Sequence, residues 1–155
     1  MPVRNVERRD GGSSGTLEMT YLPRPHQREI HKALKRFNVL VCHRRFGKTV
    51  LAINQLIHSA LLNTQEMPRY AYVAPLRNQA KAVAWDLLLH YSAPFRTSMN
   101  VSELRIDLIS GARISLYGAD NPDALRGLHF DGAVMDEYAQ MAPRTWTEVI
   151  RPARS

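Results

Sequence analysis

Asn38-Val39-Leu40-Val41-Cys42-His43-Arg44-Arg45-Phe46-Gly47-Lys48-Thr49 is the stretch that decides the fold. Its first five residues form a compact apolar run, the composition of a parallel strand buried on both faces. His43 to Gly47 interrupts the run as a loop. From Lys48 to Leu62, apolar residues recur at helical spacing through Val50, Leu51, Ile53, Leu56, Ile57 and Leu61. A buried strand, a tight loop and an amphipathic helix are the context that a phosphate-binding loop requires. Backbone N–H groups at the helix start have no partner in the helix, and the helix dipole favours negative charge there. Gly47 lets the backbone approach an anion closely, Lys48 can reach terminal phosphates, and the Thr49 hydroxyl can ligate Mg²⁺. Arg44 and Arg45, adjacent in a tight loop, repel each other unless an anion lies between them. The usual motif carries a glycine five residues before Gly47; here that position is Cys42.

The pattern on either side alternates helices and strands. Pro25 to Arg36 reads as a short helix with proline in its first turn and Ile30, Ala33, Leu34 and Phe37 at helical spacing. Tyr70 to Ala74 reads as a second strand, ended by Pro75. Asn78 to Tyr91 reads as a helix with Ala82, Val83, Trp85, Leu88 and Leu89 inward. Glu103 to Leu108 and Arg113 to Tyr117 flank Ser110-Gly111, a hairpin signal. Gly132 to Met135 is a short buried strand ending in Asp136-Glu137. This alternation predicts an α/β domain, a mainly parallel sheet with helices on both faces, over residues 21–155. Residues 1–20, with Gly11-Gly12-Ser13-Ser14-Gly15, read as a flexible basic leader. Ligands of such sheets bind outside the carboxyl ends of the strands, where both the loop and the acidic pair fall.

The bulk numbers bound the function. A chain of 155 residues suggests one domain, and 45% hydrophobic with 23% charged residues is ordinary for a globular protein. No apolar run approaches the roughly 20 residues needed to span a bilayer, and Met1 to Asp10 has no signal-peptide core, so residence in the cytoplasm, with no membrane partner, is expected. The single cysteine, Cys42, excludes an internal disulfide, and the six histidines lack metal-motif spacing. The net charge is +7; residues 1–48 hold eleven Lys/Arg against four Asp/Glu, and the remainder ten of each. That excess fits a polyanion, either nucleic acid or nucleotide phosphate; the alternative is a solvated helix face with a basic tail.

Asp136-Glu137, which begins 87 residues after Thr49, supplies the complementary chemistry. One carboxylate neutralises metal charge and the other polarises an attacking water. Asp136 is assigned to the metal and Glu137 to the water; Asp131 reads as a turn residue.

Arg44-Arg45-Phe46-Gly47-Lys48-Thr49 resembles the deviant Walker A loop of viral large terminase subunits, and Phe130 to Glu137 resembles a Walker B element. Leu22-Pro23-Arg24-Pro25-His26-Gln27 is similar to the adenine-reading Q motif of terminases and helicases. Tyr72 to Gln79 resembles the segment those proteins place near the DNA path, and Leu125-Arg126-Gly127 resembles a terminase Leu-Arg-Gly segment. The resemblance covers residues 21–150 and implies a P-loop ATPase of the ASCE/RecA-like type that drives double-stranded DNA into a procapsid. It implies ATP and Mg²⁺ as cofactors, with Cys42, His43, Arg44, Arg45, Phe46, Gly47, Lys48 and Thr49 around the phosphates and Gln27 at the base. It implies that Arg44 stabilises the γ-phosphate in cis and that Arg126 reaches a neighbour's nucleotide; the alternative for Arg126 is a local salt bridge to Asp120 or Asp123. Arg45 is left between acidic neighbours and DNA, and Arg77 and Lys81 between phosphate contacts and a solvated helix start. The implied partners are the DNA backbone, further copies in a ring, a portal and a small terminase subunit. The chain stops before the family's coupling motif and carboxylate-rich nuclease domain, so a truncated ATPase domain, incomplete at its C-terminus, is expected. A helicase-like ATPase and a nucleotide- or partner-binding domain without turnover are the rival readings.

Overall fold

The computed structural model describes residues 17–151. Residues 1–16 of the expected leader lie outside that range, while Met19 and Tyr21 are buried. Helix α1 is Pro25–Ala33, α2 is Lys48–Leu62 and strand β1 is Arg69–Ala74. A continuous helical rod follows, built from α3 (Arg77–Ala80), a π-helical turn (Lys81–Trp85) and α4 (Asp86–Ser92). Strands β2 (Arg96–Asn100), β3 (Arg105–Leu108), β4 (Arg113–Gly118) and β5 (Gly132–Met135) complete one sheet, ordered β2-β3-β4-β1-β5. β1 runs parallel to both β4 and β5, whereas β3 is antiparallel to β2 and to β4. The sheet is thus mixed, with a parallel core where the acidic pair leaves it.

Alternation along the strands divides the core in two. Tyr70, Tyr72, Ile114 and Leu116 meet Ile53, Ile57, Ala60 and Leu88 of the helical layer. Burying one such aliphatic side chain contributes about 1.5–3 kcal/mol. Ala71 and Val73 point the other way, against Leu125, Phe130, Met141 and Ile150. That second layer consists of loop, 3₁₀ turns and the π-helical segment Thr145–Ile150, not the long helices expected on both faces.

The helix Lys48–Leu62, the strand Gly132–Met135 and the hairpin around Gly111 (φ 85°) form where the pattern puts them. Three expectations need correction. Asn38 to Cys42 is not a strand: no strand pairs with it among the described residues, and Val39 and Val41 are 90% and 95% exposed. Apolar composition favours an extended run, but a ladder needs a neighbour with free N–H and C=O groups. In the rod, Ala84, Trp85 and Leu88 are buried while Val83 is 46% exposed. The π turn inserts an extra residue and shifts the inward face by one position, which a strict 3.6 period misses. In α1 the buried residues are the polar Gln27 and His31, and Phe37 is exposed, standing edge-on to Trp146. β2, whose central residues are exposed, gave no alternating signal in sequence.

Gly118 ends β4 where the chain touches the start of α3. A Cβ there would overlap Asp120 Oδ1, which accepts the Arg77 N–H, and the Arg77 backbone itself. A Cβ on Gly111 meets nothing within 4 Å. Gly118→Ala is therefore expected to destabilise by overpacking at the upper end of about 1–3 kcal/mol, whereas Gly111→Ala bears only the left-handed backbone penalty of about 1–2 kcal/mol. Urea unfolding of the two variants checks this order; equal midpoints would contradict it.

Candidate nucleotide site

The phosphate-loop candidate is held by its own glycine. Gly47 has φ 85° and N-caps α2, its carbonyl accepting the Leu51 N–H at 3.0 Å. The same carbonyl accepts Gln27 Nε2 at 3.2 Å, while Gln27 Oε1 accepts the Arg24 N–H at 2.9 Å. A Cβ on Gly47 would stand 2.8 Å from Gln27 Nε2, so glycine is required both by the backbone and by this approach. Gln27, 3% exposed, thereby clamps the loop to the start of α1. α2 has no side-chain cap and no acidic residue in its first turn, so its positive end is open to an anion. Arg45 is a non-glycine residue at φ 65°. Such a conformation costs about 1–3 kcal/mol and concentrates at functional sites.

The acidic pair converges on this helix start. The Asp136 N–H donates to Val73 O at 2.9 Å, carrying the β1–β5 ladder one residue past the strand. Asp136 Oδ1 accepts the Glu137 N–H at 3.0 Å, and Oδ2 accepts the Tyr72 hydroxyl at 2.5 Å. Glu137 itself lies at φ 51°, a second strained residue. Its Oε1 is 3.4 Å from Lys48 Nζ. With side chains 35% and 47% exposed, that pair contributes only about 0–1 kcal/mol and is easily exchanged for a stronger anion.

Tyr72 is the residue that sequence reasoning missed. It is fully buried, yet its hydroxyl reaches the acidic pair. Burial and the hydrogen bond given to Asp136 push its phenol far above the ordinary tyrosine range, so it stays a neutral donor; the Thr49 hydroxyl, a weaker contact, acts in the opposite sense. Asp136 thus faces the phenol oxygen, and Thr49 stands in the first turn of α2, the helix whose Lys48 meets Glu137. Mg²⁺ takes one or two protein oxygens and completes its octahedron with water and phosphate. That donor set fits here, and among the described residues no cluster of three His, Cys, Asp or Glu offers a denser metal site. One signal could have found Tyr72: a tyrosine in a buried strand needs a hydroxyl partner.

Other candidates stand apart. Arg44 and Arg45 are exposed, and neither guanidinium has an ion pair among the described residues. Phe46 packs between His26 and His43, with ring centroids 4.5 and 5.9 Å away, and Cys42 is half-buried. Arg126 Nε lies 3.5 Å from Asp123 Oδ1 in an exposed pair. A cavity of about 540 Å³ lies elsewhere, on the second face of the sheet, lined by Arg69, Arg77, Arg105 and Arg113 together with Glu103 and Asp120.

No protein-family model and no curated protein sequence matches the chain. Solved structures do. The large terminase ATPase domain of Thermus phage P74-26 superposes with TM-score 0.74 at 21% identity, over 87% of this chain and 61% of that one. An arginine-to-alanine variant of the same domain gives 0.72. The large terminase of a thermophilic bacteriophage, in complex with ATP-γ-S, gives 0.57 at 13% identity over 71% of this chain and 28% of that one. The chain therefore spans 61% of the P74-26 domain, somewhat under two thirds, and 28% of the terminase bound to ATP-γ-S. At these identities the likeness is one of fold, and the mixed sheet with its parallel core is that of a large-terminase ATPase domain.

Proposed function

We propose that this chain is the Mg²⁺-dependent, ATP-hydrolysing motor domain of a DNA-packaging terminase, moving double-stranded DNA into a procapsid in the host cytoplasm. The observation that carries the reading is the meeting of Lys48, at the open end of α2, with Glu137, next to Asp136 at the end of β5. The bacteriophage terminase structures named as complexes with ATP-γ-S and ADP give the ligand class.

In this reading Lys48 leaves Glu137 for the β- and γ-phosphates, whose charge exceeds that of one carboxylate. Glu137, released, orients and polarises the attacking water. Thr49 and Asp136 hold Mg²⁺, which when bound neutralises charge on the phosphoryl oxygens. Arg44, exposed beside the loop, is free to swing onto the γ-phosphate as its charge spreads. Arg126 leaves its weak pair with Asp123 to reach a nucleotide on an adjacent copy in a ring. Gln27, buried with both ends of its amide held by Arg24 and Gly47, reads the base only after giving up one of those bonds. Arg69 and Arg77 at that cavity support contact with the DNA backbone, whereas Arg105 and Arg113 are paired with Glu103 and Asp107; a portal and a small terminase subunit are the remaining partners. The reading without turnover has one observation in its favour: the run before the loop, with Val39 and Val41 exposed, is outside the sheet.

Nucleotide affinity and steady-state hydrolysis separate these readings. Lys48→Ala should weaken ATP binding and abolish hydrolysis. Glu137→Gln should keep binding and lower turnover by about 10²–10⁴-fold. Wild type hydrolysing no faster than Glu137→Gln would favour binding without turnover, and an unaffected Lys48→Ala would sink the motor reading.

Backbone recognition of DNA has its own signature. The logarithm of the binding constant for a short duplex should fall linearly with the logarithm of salt concentration, at about 0.9 per phosphate neutralised. Arg69→Ala, which removes an exposed guanidinium from the cavity rim, should lower that slope by about 1 with little change in sequence preference. Fluorescence anisotropy at several salt concentrations measures both, and an unchanged slope places the DNA elsewhere.

A further inference from the structure

Two tyrosines stand on the same face of β1, and their hydroxyls serve opposite ends of the domain. Tyr70 donates to Ser59 O at 3.1 Å and accepts Asn63 Nδ2 at 3.0 Å, tying the end of α2 to the sheet. Tyr72, paired in register with Leu116 on one side and Val134 on the other, is locked in the sheet and fully buried. Its ring spans the two residues from Val134 to Asp136, where the hydroxyl donates at 2.5 Å to Oδ2. A bond of that length to a carboxylate is of the strong, charge-assisted kind. With Oδ1 held by the Glu137 N–H, the carboxylate plane is fixed by two donors, one on β1 and one on its own chain.

Resting on the nucleotide-site reading above, we propose that Tyr72 is the positioning residue of the magnesium corner: its hydroxyl donates to Asp136 Oδ2 and, with the Glu137 N–H on Oδ1, fixes the carboxylate so that its remaining lone pairs face one cation. The reason lies in the chemistry of the pair: an ionised carboxylate cannot donate, so the phenol proton is directed at Oδ2. The bond joins β1 to the β5 terminus through a side chain that does not touch the ion.

The variant that tests this is Tyr72→Phe, which keeps the ring and its packing and removes the hydroxyl. Binding of a fluorescent ATP analogue is followed during titration with MgCl₂ and, separately, in EDTA. Loss of an outer-shell partner typically weakens metal binding 10–100-fold, so the Mg²⁺ midpoint of Tyr72→Phe should rise by about 10-fold or more while affinity in EDTA stays at the wild-type value. Tyr70→Phe is the control, since it removes a hydroxyl from the same face and should lower the melting temperature without moving the Mg²⁺ midpoint. An unchanged midpoint in Tyr72→Phe, or an equal rise in Tyr70→Phe, overturns the role given to Tyr72 and leaves the nucleotide site standing. Wild-type binding indifferent to Mg²⁺ overturns the nucleotide-site reading itself, and this inference with it.

Discussion

Everything at the candidate site depends on the parallel register between β1 and β5. Pairing Tyr72 with Val134 sets the Asp136 N–H on Val73 O, and from there the acidic pair emerges beside the start of α2. Shifting that pairing by one residue would turn every side chain of β5 to the opposite face and send the carboxylate away from the phenol. The register is fixed by packing on both sides. Val134 packs against the layer that holds α2, and Ala133 and Met135 pack against Phe130 and Met141. A charge contact between residues 89 positions apart, Lys48 and Glu137, is therefore a by-product of apolar pairing rather than its cause.

Two of the four non-glycine residues with left-handed backbone among the described residues, Arg45 and Glu137, flank this junction; the other two, Met67 and Leu104, lie away from it. Rigid neighbours keep Arg45 and Glu137 there: Gln27 clamps the loop, and the ladder bond from Asp136 anchors the acidic turn. The groups free to move are the exposed ones, Lys48, Glu137, Arg44 and Arg126. A site with a stiff frame and loosely paired charges can exchange partners when a polyanion arrives without reorganising its backbone.

How much of this the sequence disclosed depends on how local the cause is. The helix from Lys48 to Leu62 and the strand from Gly132 to Met135 were legible because periodicity, a preceding glycine and a terminal acidic pair are all written in a few adjacent residues. Asn38 to Cys42 carries an equally apolar signature and is nevertheless unpaired, since composition says nothing about whether a neighbouring strand exists. Val83 was misplaced because a π turn depends on how two halves of a rod pack, Ala80 and Ala84 on one side and Leu88 on the other. Lys48, Thr49, Asp136 and Glu137 could be named from motif and position. Tyr72 could not, because its role arises from cross-strand register, which no single segment encodes. Arg44 and Arg126 keep roles that rest on resemblance, with their side chains turned to solvent here.

β5 closes the sheet order on one side, hydrogen-bonded to β1 and to no further strand among the described residues. The outer row of its backbone donors and acceptors is therefore raw, and nothing charged or prolyl within Gly132 to Met135 blunts it. An unguarded rim of this kind is a growing point, because any extended segment that drifts alongside can add itself to the ladder. The same domain that concentrates its chemistry at the tip of β5 thus carries a tendency to self-adhere along the flank of that strand, and dilution, together with a pH well below the isoelectric point of about 10.0, keeps its net positive copies apart.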